Sequence, residues 1–133
     1  MNLDNRNPPE DHLDVLQNLE FAVVEVWRRH PEINNYNVMR AYEAAIDVYR
    51  AVAREQTPKP VNLSGLDADL FEQIKETCEW RLGRAQRAGQ PELPSLSAEA
   101  LVACLRKLRK SVDRWTDRGG RQGYLQFIEK YLP

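Results

Sequence analysis

Cysteine and histidine are scarce in this sequence of 133 residues, which has two of each. Neither His12 nor His30 belongs to a His-Glu-x-x-His motif or to the Glu-x-x-His motif of di-iron helical bundles. Cys78 and Cys104 fall on apolar helix faces, so they are expected to be buried and reduced, with a disulfide between them as the alternative. The sequence therefore predicts no metal site and no cofactor.

Long apolar runs and catalytic motifs are also missing. No uninterrupted apolar stretch approaches the roughly 20 residues that a membrane span requires. The N-terminal stretch, MNLDNRNPPEDH, is polar and acidic and has neither the basic start nor the apolar middle of a secretory signal, so a cytoplasmic location is expected. There is no Gly-x-Ser-x-Gly sequence and no histidine beside a serine. No catalytic residue is predicted, and an enzyme stays an alternative only through a site built from residues distant in sequence.

What the chain does have is helical patterning. Hydrophobic side chains make up 42% of the residues and recur every three or four positions, whereas no polar–apolar alternation persists. We predict one all-α domain over residues 1–133, a bundle of four main helices plus a short C-terminal helix. The predicted helices cover residues 9–30, 36–55, 67–87, 97–118 and 122–132, each approximately.

Proline, glycine and serine set the predicted helix ends. Pro9 suits a first turn because its missing N–H has no helical partner to lose, and Pro31 ends the first helix before it. Gly89 with Pro91 is expected to end the third helix, and Ser97 is the expected N-cap of the fourth. The short connection between the first two helices favours an antiparallel pair.

Charge is distributed unevenly along the chain. Residues 1–55 carry a net charge of −4 and residues 99–133 one of +4, although the whole chain has a net charge of −1. This asymmetry favours docking of the two ends on each other, or antiparallel association of two chains, as readily as a foreign partner.

The fourth predicted helix combines an apolar face with a basic one. Leu101 to Trp115 supply the apolar face at helical spacing, so Trp115 is expected to point into the core. The basic residues that share another face, and one that follows the Gly119-Gly120 break, are the candidate contacts for an anion or an acidic partner: Lys107, Lys110, Arg114, Arg118 and Arg121.

Three interpretations of this basic face of residues 106–121 stay open. In the first, it is a solvated face or one paired within the chain, since Asp113 and Asp117 interrupt the positive charge and are available to pair with Arg109, Arg114 and Arg121. In the second interpretation, the face binds an acidic protein partner. In the third, it binds nucleic acid, which the slightly acidic net charge disfavours because nucleic-acid-binding domains are commonly basic.

Glycines separate the fourth helix from the last one. Arg118 to Tyr124 hold three glycines between arginines, an arrangement that presents backbone N–H groups to an anion or serves as a tight turn with positive φ. The segment lacks the Gly-Lys-Ser/Thr of a phosphate-binding loop. The tight turn is the simpler interpretation.

Two aromatic residues lie away from the apolar stripes of their helices. Phe21 and Trp80 are candidate interface aromatics, unless linkers or the last helix cover them. The first helix is apolar nearly all round, so it is contacted on two sides, by its own bundle or by a second subunit. These features favour a small helical protein-interaction or accessory protein, a homodimer among the options; anion or nucleic-acid binding is the alternative.

Overall fold

Helices account for the regular structure of this chain. The computed structural model describes residues 12–89, 93–117 and 122, and within these residues it contains no strand. The four helices are Leu13–Arg29 (α1), Asn35–Ala53 (α2), Gly65–Arg81 (α3) and Ala98–Asp117 (α4). The predicted all-α bundle is confirmed. Residues 9–11 of the first predicted helix, and the C-terminal helix predicted beyond residue 122, lie outside the described residues.

The helices pack around the core in the order α1, α3, α2, α4. Both α1 and α2 pack against α3 and α4. The predicted direct pairing of α1 with α2 is therefore wrong: in the described part of the chain they lie across the core from each other. The buried residues of α1, from Val15 to Trp27, spread over more than one face of the helix, so two neighbouring helices cover them. Its own bundle thus provides the contacts on both sides.

Contacts between side chains show the directions of the helices. Asn37 at the start of α2 donates a hydrogen bond to Asp67 at the start of α3 (2.8 Å), and the Tyr49 hydroxyl near the end of α2 donates one to the Lys75 carbonyl (3.4 Å). Consequently α2 and α3 run parallel. Because parallel neighbours need a return connection, residues 54–64 must travel back along α2.

The return connection is long enough for this path. Its 11 residues reach roughly 36 Å when extended, at about 3.3 Å per residue, whereas α2, with 19 residues, is roughly 28 Å long. Pro58 and Pro60 keep it extended. Val61 and Leu63 then lie beside Ala44 and Val48 of α2, around the same surface cleft.

The core is built from the apolar faces of all four helices. Trp27, Tyr42 and Tyr49 are its largest fully buried side chains. Five residues that the spacing predicts to be apolar contacts of α4 join the same cluster: Leu101, Cys104, Leu105, Leu108 and Val112.

Two helices end in the same way on different residues. The Arg84 N–H donates to the Glu79 carbonyl and the Gly83 N–H to the Trp80 carbonyl, which is a Schellman ending with Gly83 in the left-handed region (φ 80°). The prediction that the third helix reaches residue 87 is therefore wrong, because Gly83 stops it at Arg81. At the end of α2 the equivalent left-handed position holds Glu55 (φ 57°).

Side chains cap the starts of α2 and α4. The Asn34 side chain accepts from the Asn37 N–H (3.1 Å), and the Asn37 side chain accepts from the Asn34 N–H (2.9 Å), a reciprocal capping box. Ser97 Oγ accepts from the Ala100 N–H (3.1 Å), so the predicted N-cap of α4 is confirmed.

Candidate functional site

Three of the candidate cations lie together on the solvent side of α4. Lys107, Lys110 and Arg114 are exposed, and they constitute what we call the α4 outer face. None of the three forms an ion pair in the described part of the chain. Asp113 is exposed beside them and reduces their combined positive charge. The remaining two candidates, Arg118 and Arg121, lie outside the described residues.

Arg109 belongs to the same helix, but a carboxylate of α2 neutralises its charge. Its guanidinium donates through Nε (3.2 Å) and Nη2 (3.0 Å) to Oε1 of Glu43 on α2. The sequence suggested Asp113 or Asp117 as its partner, because only neighbours along the chain are visible there. The contact instead fixes α4 against α2.

The candidate interface aromatics are covered to different degrees by their own chain. Trp80 is buried, with 8% of its surface exposed, and Phe21 is half-buried. The Arg87 guanidinium lies 5.4 Å from the Trp80 ring centre and 6.0 Å from the Phe21 ring centre, and it pairs with Glu25 (3.8 Å). The residues after α3 therefore cover both rings with a cation, a role for Arg87 that no local pattern indicates.

An ion pair formed by a buried arginine fixes the end of α3. Arg81 has only 4% of its surface exposed, and its guanidinium pairs with Asp14 at the start of α1. The same guanidinium donates to the Pro94 carbonyl (3.4 Å), while the Leu96 N–H donates to the Arg81 carbonyl (2.7 Å). Arg81 thus joins α1, α3 and the linker before α4, a role that a charged residue in a helical pattern does not reveal.

Burial shifts the titration of Cys78, Cys104 and Glu20 towards their neutral forms. Burial raises the pKa of Cys104 to about 11 and raises that of Cys78 further still, so both free thiols are protonated at neutral pH and are poor nucleophiles. Burial also raises the pKa of Glu20 to about 7. Over the described residues, no group of three or more histidine, cysteine, aspartate or glutamate side chains could hold a metal ion.

Comparisons of this chain with models of known protein families, with curated proteins and with solved structures found no match. None of the described helices is both long and apolar enough to cross a membrane. Any function must therefore follow from the residues themselves.

Proposed function

We propose that this protein is a small helical interaction protein that binds an acidic protein partner through the α4 outer face. The proposal is carried by one observation: in residues 12–89 and 93–117, Lys107, Lys110 and Arg114 have no ion-pair partner, whereas Glu43 neutralises Arg109 of the same helix. Exposed charges of one sign attract a partner of the opposite sign and accelerate its approach. Arg118 and Arg121 extend the proposed surface on the basis of the sequence.

Nucleic acid is a weaker candidate for the same face. The chain has a net charge of −1, and Asp113 lies among the three cations. A phosphate backbone favours a surface that is basic throughout. Nucleic-acid binding is therefore treated as an outcome of the test.

Self-association is a second outcome. The net charges of −4 over residues 1–55 and +4 over residues 99–133 complement each other in an antiparallel dimer. The burial of Trp80 within its own chain, on the other hand, leaves that ring little surface for a second subunit. Free, buried Cys78 and Cys104 are in keeping with the reducing cytoplasm proposed as the location.

The test is the binding of a fluorescent peptide rich in aspartate and glutamate, measured by anisotropy at low salt. Lys107→Glu with Lys110→Glu should weaken binding by about tenfold or more, since each tenfold step is about 1.4 kcal/mol. The matched control is Arg29→Glu with Arg84→Glu, which changes the net charge equally at two exposed positions elsewhere. Binding of a labelled oligonucleotide is measured for the same proteins, and light scattering shows whether they form dimers.

Preferential loss in the α4 double variant supports the proposal. Equal loss in both double variants, or no binding by the wild type, contradicts it. Tighter binding of the oligonucleotide than of the peptide assigns the face to nucleic acid instead, and a dimer that the same α4 substitutions dissociate assigns it to a second copy of the chain.

A further inference from the structure

A small cleft lies between the end of α2 and the first half of α4. It has a volume of about 260 Å³ and is lined by Arg50, Ala53 and Arg54 of α2 and by Glu99, Val102 and Arg106 of α4. A volume of this size holds a group of several heavy atoms, because a single water occupies roughly 30 Å³. It is below the range of roughly 300–1,000 Å³ that is usual for drug-sized ligands and cofactors. The cleft is thus suited to one small group.

The charges of this cleft are unbalanced. Arg50, Arg54 and Arg106, which we call the arginine cleft residues, form no ion pair within the described part of the chain, and Glu99 is the only acidic residue in the lining. The lining side chains therefore carry a net charge of +2. Further along the same α2–α4 contact, Arg109 does meet a carboxylate, that of Glu43 at 3.0 Å. Like charges in the cleft are thus not a general property of this helix pair.

Arg50 has a donor without an acceptor. Its Nε is removed from solvent and makes no hydrogen bond to any of the described residues. Leaving a donor of a charged group in this state is unfavourable, and no hydrogen bond holds the guanidinium in its present rotamer. An oxygen ligand in the cleft would give the guanidinium, after a change of rotamer, the acceptor that the described residues do not provide.

The arginine side chains of the cleft limit the chemical class of ligand that it can bind. A guanidinium presents two parallel N–H groups that match two oxygens of one phosphate or carboxylate, which a lysine ammonium does not. Three guanidiniums around one small space exceed what a single carboxylate neutralises. A phosphate monoester carries a charge of close to −2 at neutral pH, because its second pKa is about 6. That charge balances the net charge of +2 on the lining side chains.

We propose that the arginine cleft binds the phosphate monoester dianion. This chemistry has two sources, a free small molecule and a phosphorylated side chain of a partner protein. The site is separate from the α4 outer face, so it stands or falls independently of the function proposed above. Arg29 on α1 is also exposed but belongs neither to the cleft lining nor to the α4 outer face, so it provides a matched control.

The experiment follows the arginine Nε–Hε signals by NMR while inorganic phosphate, phosphoserine and a phosphoserine peptide are added separately at constant ionic strength. The signals of Arg50, Arg54 and Arg106 should shift saturably at pH 7.5. The shifts should require higher concentrations at pH 5.5, where the ligand is a monoanion. Arg106→Gln should weaken binding by about tenfold, whereas Arg29→Gln should leave it nearly unchanged.

Binding of either the free phosphate monoester or the phosphorylated peptide supports the proposed site. Peptide binding at least about tenfold tighter than that of phosphoserine identifies a phosphorylated protein segment, and equal binding identifies a free phosphate monoester. The proposal is overturned by non-saturable shifts spread over all arginines, or by equal weakening in Arg106→Gln and Arg29→Gln. Circular dichroism of Arg106→Gln shows whether the variant is folded, and Arg54→Gln is the second variant if it is not.

Discussion

The two sides of this bundle treat their charged residues differently. On the α1–α3 side, Asp14 neutralises the buried Arg81, and Glu25 meets both Gln73 (2.8 Å) and Arg87 (3.8 Å). On the α2–α4 side, Glu43 neutralises Arg109, but the three arginine cleft residues line one cleft without an ion-pair partner in the described chain. Charges on the first side stabilise the fold. On the second side only the Glu43–Arg109 pair does so, and the three unpaired arginines are the residues that the proposed ligand would contact.

The helix ends show the same contrast. α3 ends on Gly83, which adopts positive φ without strain, while α2 ends beside the arginine cleft on Glu55 in the same conformation. A residue with a Cβ in the left-handed region is disfavoured by about 1–2 kcal/mol. The α2 end is therefore less well suited to the fold than the α3 end.

Glu20 on α1 is an exception to the pairing of charged residues on the α1–α3 side. It makes no ion pair or hydrogen bond among the described residues, and burial raises its pKa from 4.5 to about 7. The folded protein keeps this proton after the unfolded chain has lost it, so stability should fall as the pH rises from about 4.5 to about 7. Glu20→Gln should remove that slope and raise the free energy of unfolding at pH 8, by roughly 3 kcal/mol at most.

Urea unfolding between pH 4 and pH 8 measures this effect. Glu25→Gln is the control on the same helix, because Glu25 has partners in the folded state, and it should leave the slope in place. A Glu20→Gln variant that keeps the wild-type pH dependence would show that Glu20 ionises normally.

The same substitution on the two sides tests the contrast directly. Arg81→Met removes a buried cation from its carboxylate and from the Pro94 carbonyl, and it should lower the free energy of unfolding by about 2 kcal/mol, since hydrogen bonds to charged groups contribute about 1.5–3 kcal/mol. Arg106→Met removes no ion pair found in the described residues and should change it by less than about 0.5 kcal/mol. Urea midpoints compare the two, and equal losses would remove the distinction between the sides.

The helix ends provide a smaller test. Gly83→Ala should lower the free energy of unfolding by about 1–2 kcal/mol, because φ is positive and the new Cβ would lie 2.5 Å from Ser95 Oγ. Glu55→Gly should raise it by about 0.5 kcal/mol, the relief of strain being partly offset by the greater freedom of glycine in the unfolded chain. Thermal unfolding checks both, and a loss of stability in Glu55→Gly would contradict the account of the α2 end.

Much of the fold was predictable from the sequence. Helical spacing placed the apolar residues of α4 from Leu101 to Val112 in the core, whereas the side chain of Trp115 lies outside the described part of the chain. Pro31 marked the end of α1, and Ser97 marked the start of α4. The end of α3 was missed because Gly83 lies inside a helical pattern, where one glycine is tolerated as often as it terminates. The packing order was missed because a short connection does not determine which helices meet.

The charged contacts were less predictable, for a physical reason. Sequence spacing shows which cations share one helix face, and so it identified Lys107, Lys110 and Arg114. It does not show which side chains of other helices meet them. The Glu43–Arg109 pair, the buried Arg81 and the meeting of Arg50 with Arg106 in one cleft all depend on helix packing.

The most direct measurement of the central claim is urea unfolding of the wild type and of Arg106→Gln, each in chloride and in phosphate at equal ionic strength. In chloride the variant should be at least as stable as the wild type, because a like charge has been removed from the cleft. Phosphate at ten times the wild-type Kd should stabilise the wild type by about 1.4 kcal/mol and the variant, whose Kd is about tenfold higher, by only about 0.4 kcal/mol. A variant that is less stable in chloride and gains as much from phosphate as the wild type would contradict the claim.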